Sequence, residues 1–259
     1  MYSAPAKWPA LALTLFAWFL PDPTSADESL TDKTLVVWAA PATLEQGGGS
    51  ALTVDNGDGA FDGIVFGELT PRRWMPGSNG FARTEKSQAQ WPAETATGDQ
   101  FVQMAIVYRG RDIAVYRNGE PYAHYTMANA PQVFGPQAVV MFGRRHLEAR
   151  DAQREFSGRI KDARVYARPL DRATIAALVP GQVSAGLKPW AWWSFADEGL
   201  REKMGRFNHI RLVGHVRIEK GCLVLDGKGA TVIAASVPEP GDGRIAWAPV
   251  PKAWTFTGP

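Results

Sequence analysis

The chain has 259 residues, 45% of them hydrophobic, with 10 tryptophans, one cysteine and a formal net charge of +2. That length can bury a core without staples, and the single Cys222 excludes an intrachain disulfide and a Cys-rich zinc site. Arg109, Arg111, Arg144, Arg145, Arg150 and Arg154 are scattered among acids, which argues against the clustered cations of a nucleic-acid groove.

Lys7, the apolar run "PALALTLFAWFL" and the small residues Thr24-Ser25-Ala26 read as a secretory signal peptide over residues 1–26, cut before Asp27. The run is short for a transmembrane helix, and no later segment reads as a span. The expected location is secreted or periplasmic.

"KTLVVWAA" (33–40) is a continuous apolar run, as in a strand buried on both faces. "DNGDG" (55–59) places two turn dipeptides between apolar segments and predicts a hairpin or looped connection. "RRWMPGSNG" reads as loop, broken by Pro76 and Gly77, and "GFARTEK" as a short strand. "SQAQWPAETATGDQ" is a polar connection holding Trp91. "QFVQMAIVYRGRDIAVYRNGEPYAHYTM" then gives three strands of a meander, reversing at Arg109–Asp112 and at Asn118-Gly119, the pair suited to a type I′ turn.

"QAVVMFG" and "REFSGRIKDARVYARP" are further strands. In the second, Ile160, Ala163, Val165 and Tyr166 keep no strict alternation, which predicts a bulge or a strand between two layers. Pro169 ends the ladder because it has no N–H. Asp171 is placed to cap a short helix that turns Ile175 and Leu178 inward and stops before Pro180-Gly181. Such a helix is expected to plug an edge or mouth of the sandwich. Beyond Gly181, "PWAWWSF" and "NHIRLVGHVRIEKGCLVLDGKGATVIAAS" add β-like runs, and residues 237–259 form a Pro-rich tail with Trp247 and Trp254.

Taken together, "QFVQMAIVYRG", "YRNGEPY", "VVMFG" and above all "FSGRIKDARVYARPLDRATIAAL" resemble the laminin G-like jelly roll of the concanavalin A-like lectin and glucanase superfamily. The likeness runs from Thr34 to Leu178 and is strongest from Phe101 onward; family members often carry tryptophan where this chain has Phe101. It implies an all-β fold, an antiparallel β-sandwich with one short C-terminal helix and additional C-terminal strands. The sandwich is assigned to residues 30–180. Residues 187–236 then complete it from the C-terminal side or begin a second module, and unpaired edges favour completion.

Enzymatic motifs are lacking. Glucanases of this fold carry a Glu-x-Asp-x-Glu strand that points alternate carboxylates into one cleft, and this chain has none. "GGGSAL" is not a nucleophile elbow, and His124, His146, His209 and His215 show no zinc spacing.

Two sets of residues remain as site candidates. Trp74 and Trp91, with Asn79 and Gln90 nearby, offer flat rings and polar groups for sugar, the other use open to each ring being to cover a sheet end. Asp55, Asp58 and Asp62 offer hard oxygen ligands for calcium, which family members often hold near the rim; Gly57 and Phe66 stand where an EF-hand needs oxygen ligands, and the alternative is simple turn formation. The implied function is a secreted, non-catalytic, lectin-like module that recognises a glycan or polysaccharide. Two other roles fit the same pattern: an accessory or truncated N-terminal part of a secreted glycoside hydrolase, and an adhesion domain that docks another protein domain.

Overall fold

The computed structural model describes residues 29–149, 154–197 and 199–236, with the backbone of 248–249. The signal-peptide reading and most of the tail, including Trp247 and Trp254, fall outside them. Two antiparallel sheets form a sandwich.

One sheet contains β1 (Lys33–Pro41), β5 (Val102–Arg109), β6 (Asp112–Arg117), β7 (Glu120–Thr126), β9 (Ser157–Tyr166), β10 (Ala191–Ser194), β12 (Arg217–Glu219) and β13 (Cys222–Asp226). Its order is β12-β13-β9-β1-β5-β6-β7, with β10 also on β9. The other contains β2 (Gly49–Asp55), β3 (Phe61–Phe66), β4 (Trp74–Ser78), β8 (Val139–Gly143), β11 (His209–Val213), β14 (Thr231–Ala235) and β15 (Ala248–Pro249). Its order is β15-β11-β14-β8-β2-β3-β4. The C-terminal strands therefore enter both sheets: Leu223–Asp226 pair with Ile160–Ser157 of β9, and Val232–Ala235 with Phe142–Val139 of β8.

The continuous apolar run of β1 has a direct cause. Leu35, Val37 and Ala39 face the core between the sheets. Val36 and Trp38 face outward, beneath a second apolar cluster that includes Leu170, Ile175, Leu178 and Leu187. All nine residues of β1 are buried. The helix α1 (Arg172–Ala176) therefore lies over the outer face of the first sheet rather than at an edge or mouth. Asp171 caps it by accepting from the Thr174 N–H at 2.7 Å. It seats against the Asn118-Gly119 turn, where both residues have positive φ (52° and 76°), and a Cβ on Gly119 would come within 2.6 Å of the Ala176 Cβ.

The broken alternation of β9 is a bulge. Trp38 pairs with Asp162 but Ala39 with Ile160, so Lys161 is the extra residue. Beyond it Asp162, Arg164 and Tyr166 share the outer face with Trp38 and Val36. Arg164 and Asp162 are fully buried there and paired at 2.8 Å, with the guanidinium carbon 5.0 Å from the Trp38 ring centroid and 5.5 Å from that of Trp192. Asp162 also accepts from the Gly181 N–H (2.7 Å) and Trp192 Nε1 (3.0 Å), and Arg164 donates to the Val179 carbonyl (2.6 Å). The Asp-x-Arg of the motif thus binds the turn after the helix to the sheet.

Two expectations are corrected. Residues 74–78 form strand β4 rather than loop: β4 is an edge strand, so the missing N–H of Pro76 leaves no gap in a ladder. "GFARTEK" forms no strand; Asn79–Phe81 is a 3-10 turn. The segment that follows wraps the open side of the sandwich from β4 to β7, where Tyr122 OH donates to the Pro92 carbonyl and Tyr125 OH to that of Arg83.

Candidate functional site

Both tryptophans expected to hold sugar are used in packing. Trp74 is fully buried, 4.7 Å from the Phe66 ring centroid and 6.1 Å from that of Phe156. Its Nε1 donates to Glu94 Oε2 at 2.8 Å. Its register opposite Phe66, itself in the core, turns it inward. Burial pushes the Glu94 carboxyl up, but hydrogen bonds from Arg117, Ala96 and Trp74 outweigh this and hold it below the usual range. Trp91 is half-buried, stacked on Tyr125 (6.0 Å, 22°) and edge-on to Tyr122 (5.9 Å), and so seals the side of the sandwich. Gln90 and Asn79 are exposed. Trp74 opens β4 and Asn79 follows its last residue, so the four residues do not converge.

The three aspartates also separate. Asp55 pairs in register with Phe61, and one residue later Asp62 points to the opposite face. Asp55 accepts from the Gly57 N–H (2.7 Å) and the Leu147 N–H (2.9 Å); burial raises its pKa, which those two hydrogen bonds offset only in part. Asp58 accepts from the Ala60 N–H at 2.9 Å. Asp62 lies fully buried between the sheets, 2.8 Å from Lys33 Nζ and in contact with Arg83 Nη2. Being fully buried and facing two cations, Asp62 is not brought to a common surface with Asp55 and Asp58. Among the described residues no group of three His, Cys, Asp or Glu is placed to hold a metal.

A different group of exposed side chains gathers at the end of the sandwich above Asp62. The 56–60 loop, the Asn79–Phe81 turn and the 127–135 segment are tied together. Asn56 Nδ2 donates to the Val133 carbonyl (3.5 Å), and Asn56 Oδ1 accepts from the Gly135 N–H (3.2 Å). Asn129 Nδ2 donates to the Ala82 carbonyl (2.5 Å), and a Cβ on Gly59 would lie 3.5 Å from Asn79 Nδ2. Gly80 and Phe81 both adopt left-handed backbone (φ 56° and 58°), costly for a bulky residue, and Phe81 is left half-exposed. Lys86 Nζ sits 6.0 Å from its ring centroid, and Val133 beside this rim is 51% exposed. The turn is braced from below: Ser78 Oγ accepts from the Arg83 N–H (2.9 Å), and Thr84 Oγ1 donates to the Pro76 carbonyl (2.8 Å).

Sequence reasoning picked out Asn79 here but missed Phe81 and Asn129. The available signal was Asn79-Gly80, a turn dipeptide directly before an aromatic residue.

More than half of the chain, residues 3–176, matches the family described as Concanavalin A-like lectin/glucanases superfamily. The chain belongs to that superfamily. No curated protein matches it. Among solved structures, this concanavalin A-like chain is similar to a protein of Bacteroides ovatus ATCC 8483 provisionally named a carbohydrate binding protein, with TM-score 0.52, 12% identity and 82% of this chain covered. The chain spans 56% of that protein's length. It is also similar to domain 4 of AbnA, a GH43 extracellular arabinanase from Geobacillus stearothermophilus solved with arabinotriose (TM-score 0.44, 15% identity, 58% of this chain and 68% of that one). A third likeness is to the CBM40 of Ruminococcus gnavus IT-sialidase bound to α2,3 sialyllactose (TM-score 0.40, 16% identity, 57% and 82%). At these identities the likenesses bear on the fold alone.

Proposed function

We propose that this concanavalin A-like chain is a non-catalytic carbohydrate-binding module working outside the cytoplasm, and that it binds glycan at the rim built by the 56–60 loop, the Asn79–Phe81 turn and Asn129. The observation that carries the reading is Phe81: a bulky ring held at φ 58°, half-exposed, beside the exposed amide of Asn79. A ring that stacks on a sugar face, flanked by amides that meet its hydroxyls, is the usual carbohydrate device. The superfamily membership supports the same ligand class, and the Bacteroides ovatus protein that shares the fold is itself named for carbohydrate binding. Secretion rests on the signal-peptide pattern of residues 1–26.

The non-catalytic role is supported by how the buried acids are used. Asp62 faces Lys33, Glu94 faces Arg117, Glu155 faces Arg144 and Asp162 faces Arg164. Glu202 accepts four backbone N–H groups, from Trp192, Met204, Arg206 and Phe207. None is poised over a cleft as a general acid.

A glycan array followed by titration tests this. Phe81→Ala and Asn79→Ala should each weaken binding about tenfold or more, since a lost stacking or hydrogen-bonding partner costs on the order of 1–2 kcal/mol. Absence of any glycan ligand at millimolar concentration, or full affinity in Phe81→Ala, would remove the proposal.

A further inference from the structure

The ion cluster beneath the rim has an arrangement that an ordinary salt bridge does not require. Lys33 opens β1 in one sheet and Asp62 lies near the start of β3 in the other. Lys33 Nζ and Asp62 Oδ2 are 2.8 Å apart, and neither side chain has any exposed surface. The amine sits between two aromatic rings, 4.6 Å from the centroid of Tyr108 and 4.7 Å from that of Phe134. Nζ also donates to the Thr31 carbonyl at 2.9 Å, which aims it across the gap. Arg83 contacts the second carboxylate oxygen, Oδ1, and is itself 2% exposed. The strands at each end fix both partners, so little freedom remains to be lost on reaction.

We infer that Lys33 and Asp62 condense to an isopeptide bond that ties β1 of one sheet to β3 of the other. The step balances within the pair. The ammonium passes a proton to Oδ2, leaving a neutral amine and a neutral acid, in a site where water is excluded. The nitrogen attacks Cγ, and the charge that develops falls on Oδ1, where the Arg83 guanidinium stands ready to hold it. Oδ2 takes a second proton from the nitrogen and leaves as water. One C–N bond forms, one C–O bond breaks, and no oxidant or cofactor is consumed. Burial, helped by the neighbouring Arg83 charge and opposed by Asp32, holds the Lys33 pKa well below its ordinary value, which favours the nucleophilic amine.

The test needs only the folded full chain. After denaturation and proteolysis, the peptide bearing Lys33 and the peptide bearing Asp62 should be recovered as one species, lighter than their sum by one water. Lys33→Arg keeps the positive charge but has no amine able to form the link; in it the two peptides should separate and the melting temperature should fall. Recovery of the two peptides apart, at unmodified masses, from folded wild-type protein would overturn the inference whether or not the variant folds. The outcome is independent of glycan binding.

Discussion

Replacing Arg164 with methionine strips the cation from the outer-face clasp and leaves Asp162 with two hydrogen bonds, from Trp192 Nε1 and the Gly181 N–H. Both members of the pair are fully buried, so the carboxylate cannot recover its charge balance from water. Breaking one side of a buried pair costs about 3–5 kcal/mol, and the Val179 carbonyl also loses its Arg164 donor. For a protein of this size about 2–4 °C of melting temperature goes with each kcal/mol, so the midpoint should fall by roughly 10 °C. The effect should also depend on pH. Burial already raises the Asp162 pKa while Arg164 pulls it down, so removing Arg164 lifts it further. An acid whose folded pKa lies above its unfolded value contributes stability that is present below the unfolded pKa and is lost as pH rises through the folded one.

The deficit of Arg164→Met should therefore be largest near neutrality and shrink as the pH falls toward the ordinary aspartate range of about 4. Adding Asp162→Asn should return part of the loss at pH 7, because the uncompensated charge is gone. Urea unfolding at both pH values, with the slope checked for constancy, measures this. A loss under about 1 kcal/mol at neutral pH, or a loss that ignores pH, would show that the pair does not carry the turn.

The remaining predictions test other parts of the fold. Gly119→Ala should destabilise the protein by about 1–3 kcal/mol in urea melts, since the new methyl meets Ala176 on a backbone with φ of 76°. Trp74→Phe should cost about 1–3 kcal/mol by leaving Glu94 one donor short, while glycan affinity per folded molecule stays unchanged. Burial pushes the Tyr122 pKa up to about 12, and Tyr108 and Tyr125 are raised as well. By the sign rule above, this stability is full below about 10 and lost on rising through the folded values, so ultraviolet titration should show phenolate appearing together with loss of structure. Calcium at millimolar concentration should leave the melting point within a degree of that in chelator; a rise of several degrees would place a metal on the Asp55–Asp58 loop.

The parts of the fold that sequence conveyed best are those where one local rule acts alone. Asn118-Gly119 announces its turn because few other residues accept two successive positive φ angles. Asp171 announces its helix because its side chain meets an orphan N–H three residues on. The broken alternation of β9 announces a bulge, found at Lys161. Strand β4 was hidden because the rule that Pro76 breaks a ladder depends on whether the strand is at an edge, which is a property of the whole sheet.

The candidate site was harder to read for a related reason. A tryptophan beside polar residues looks like a ligand platform, yet Trp74 is turned into the core by its register opposite Phe66, and Trp91 closes the side of the sandwich against Tyr122 and Tyr125. Likewise "DNGDGAFD" looks like one acidic cluster along the chain, but a strand begins within it at Phe61, and the two-residue period sends Asp55 and Asp62 to opposite faces. Asp62 then meets Lys33, which lies 29 positions earlier (62 − 33), and Arg83, 21 positions later (83 − 62). Nothing in the local pattern names either partner. A residue's role here follows from the face its register assigns it: the same strand alternation that makes the sandwich readable also decides which of its acids are available for chemistry and which are locked between the sheets.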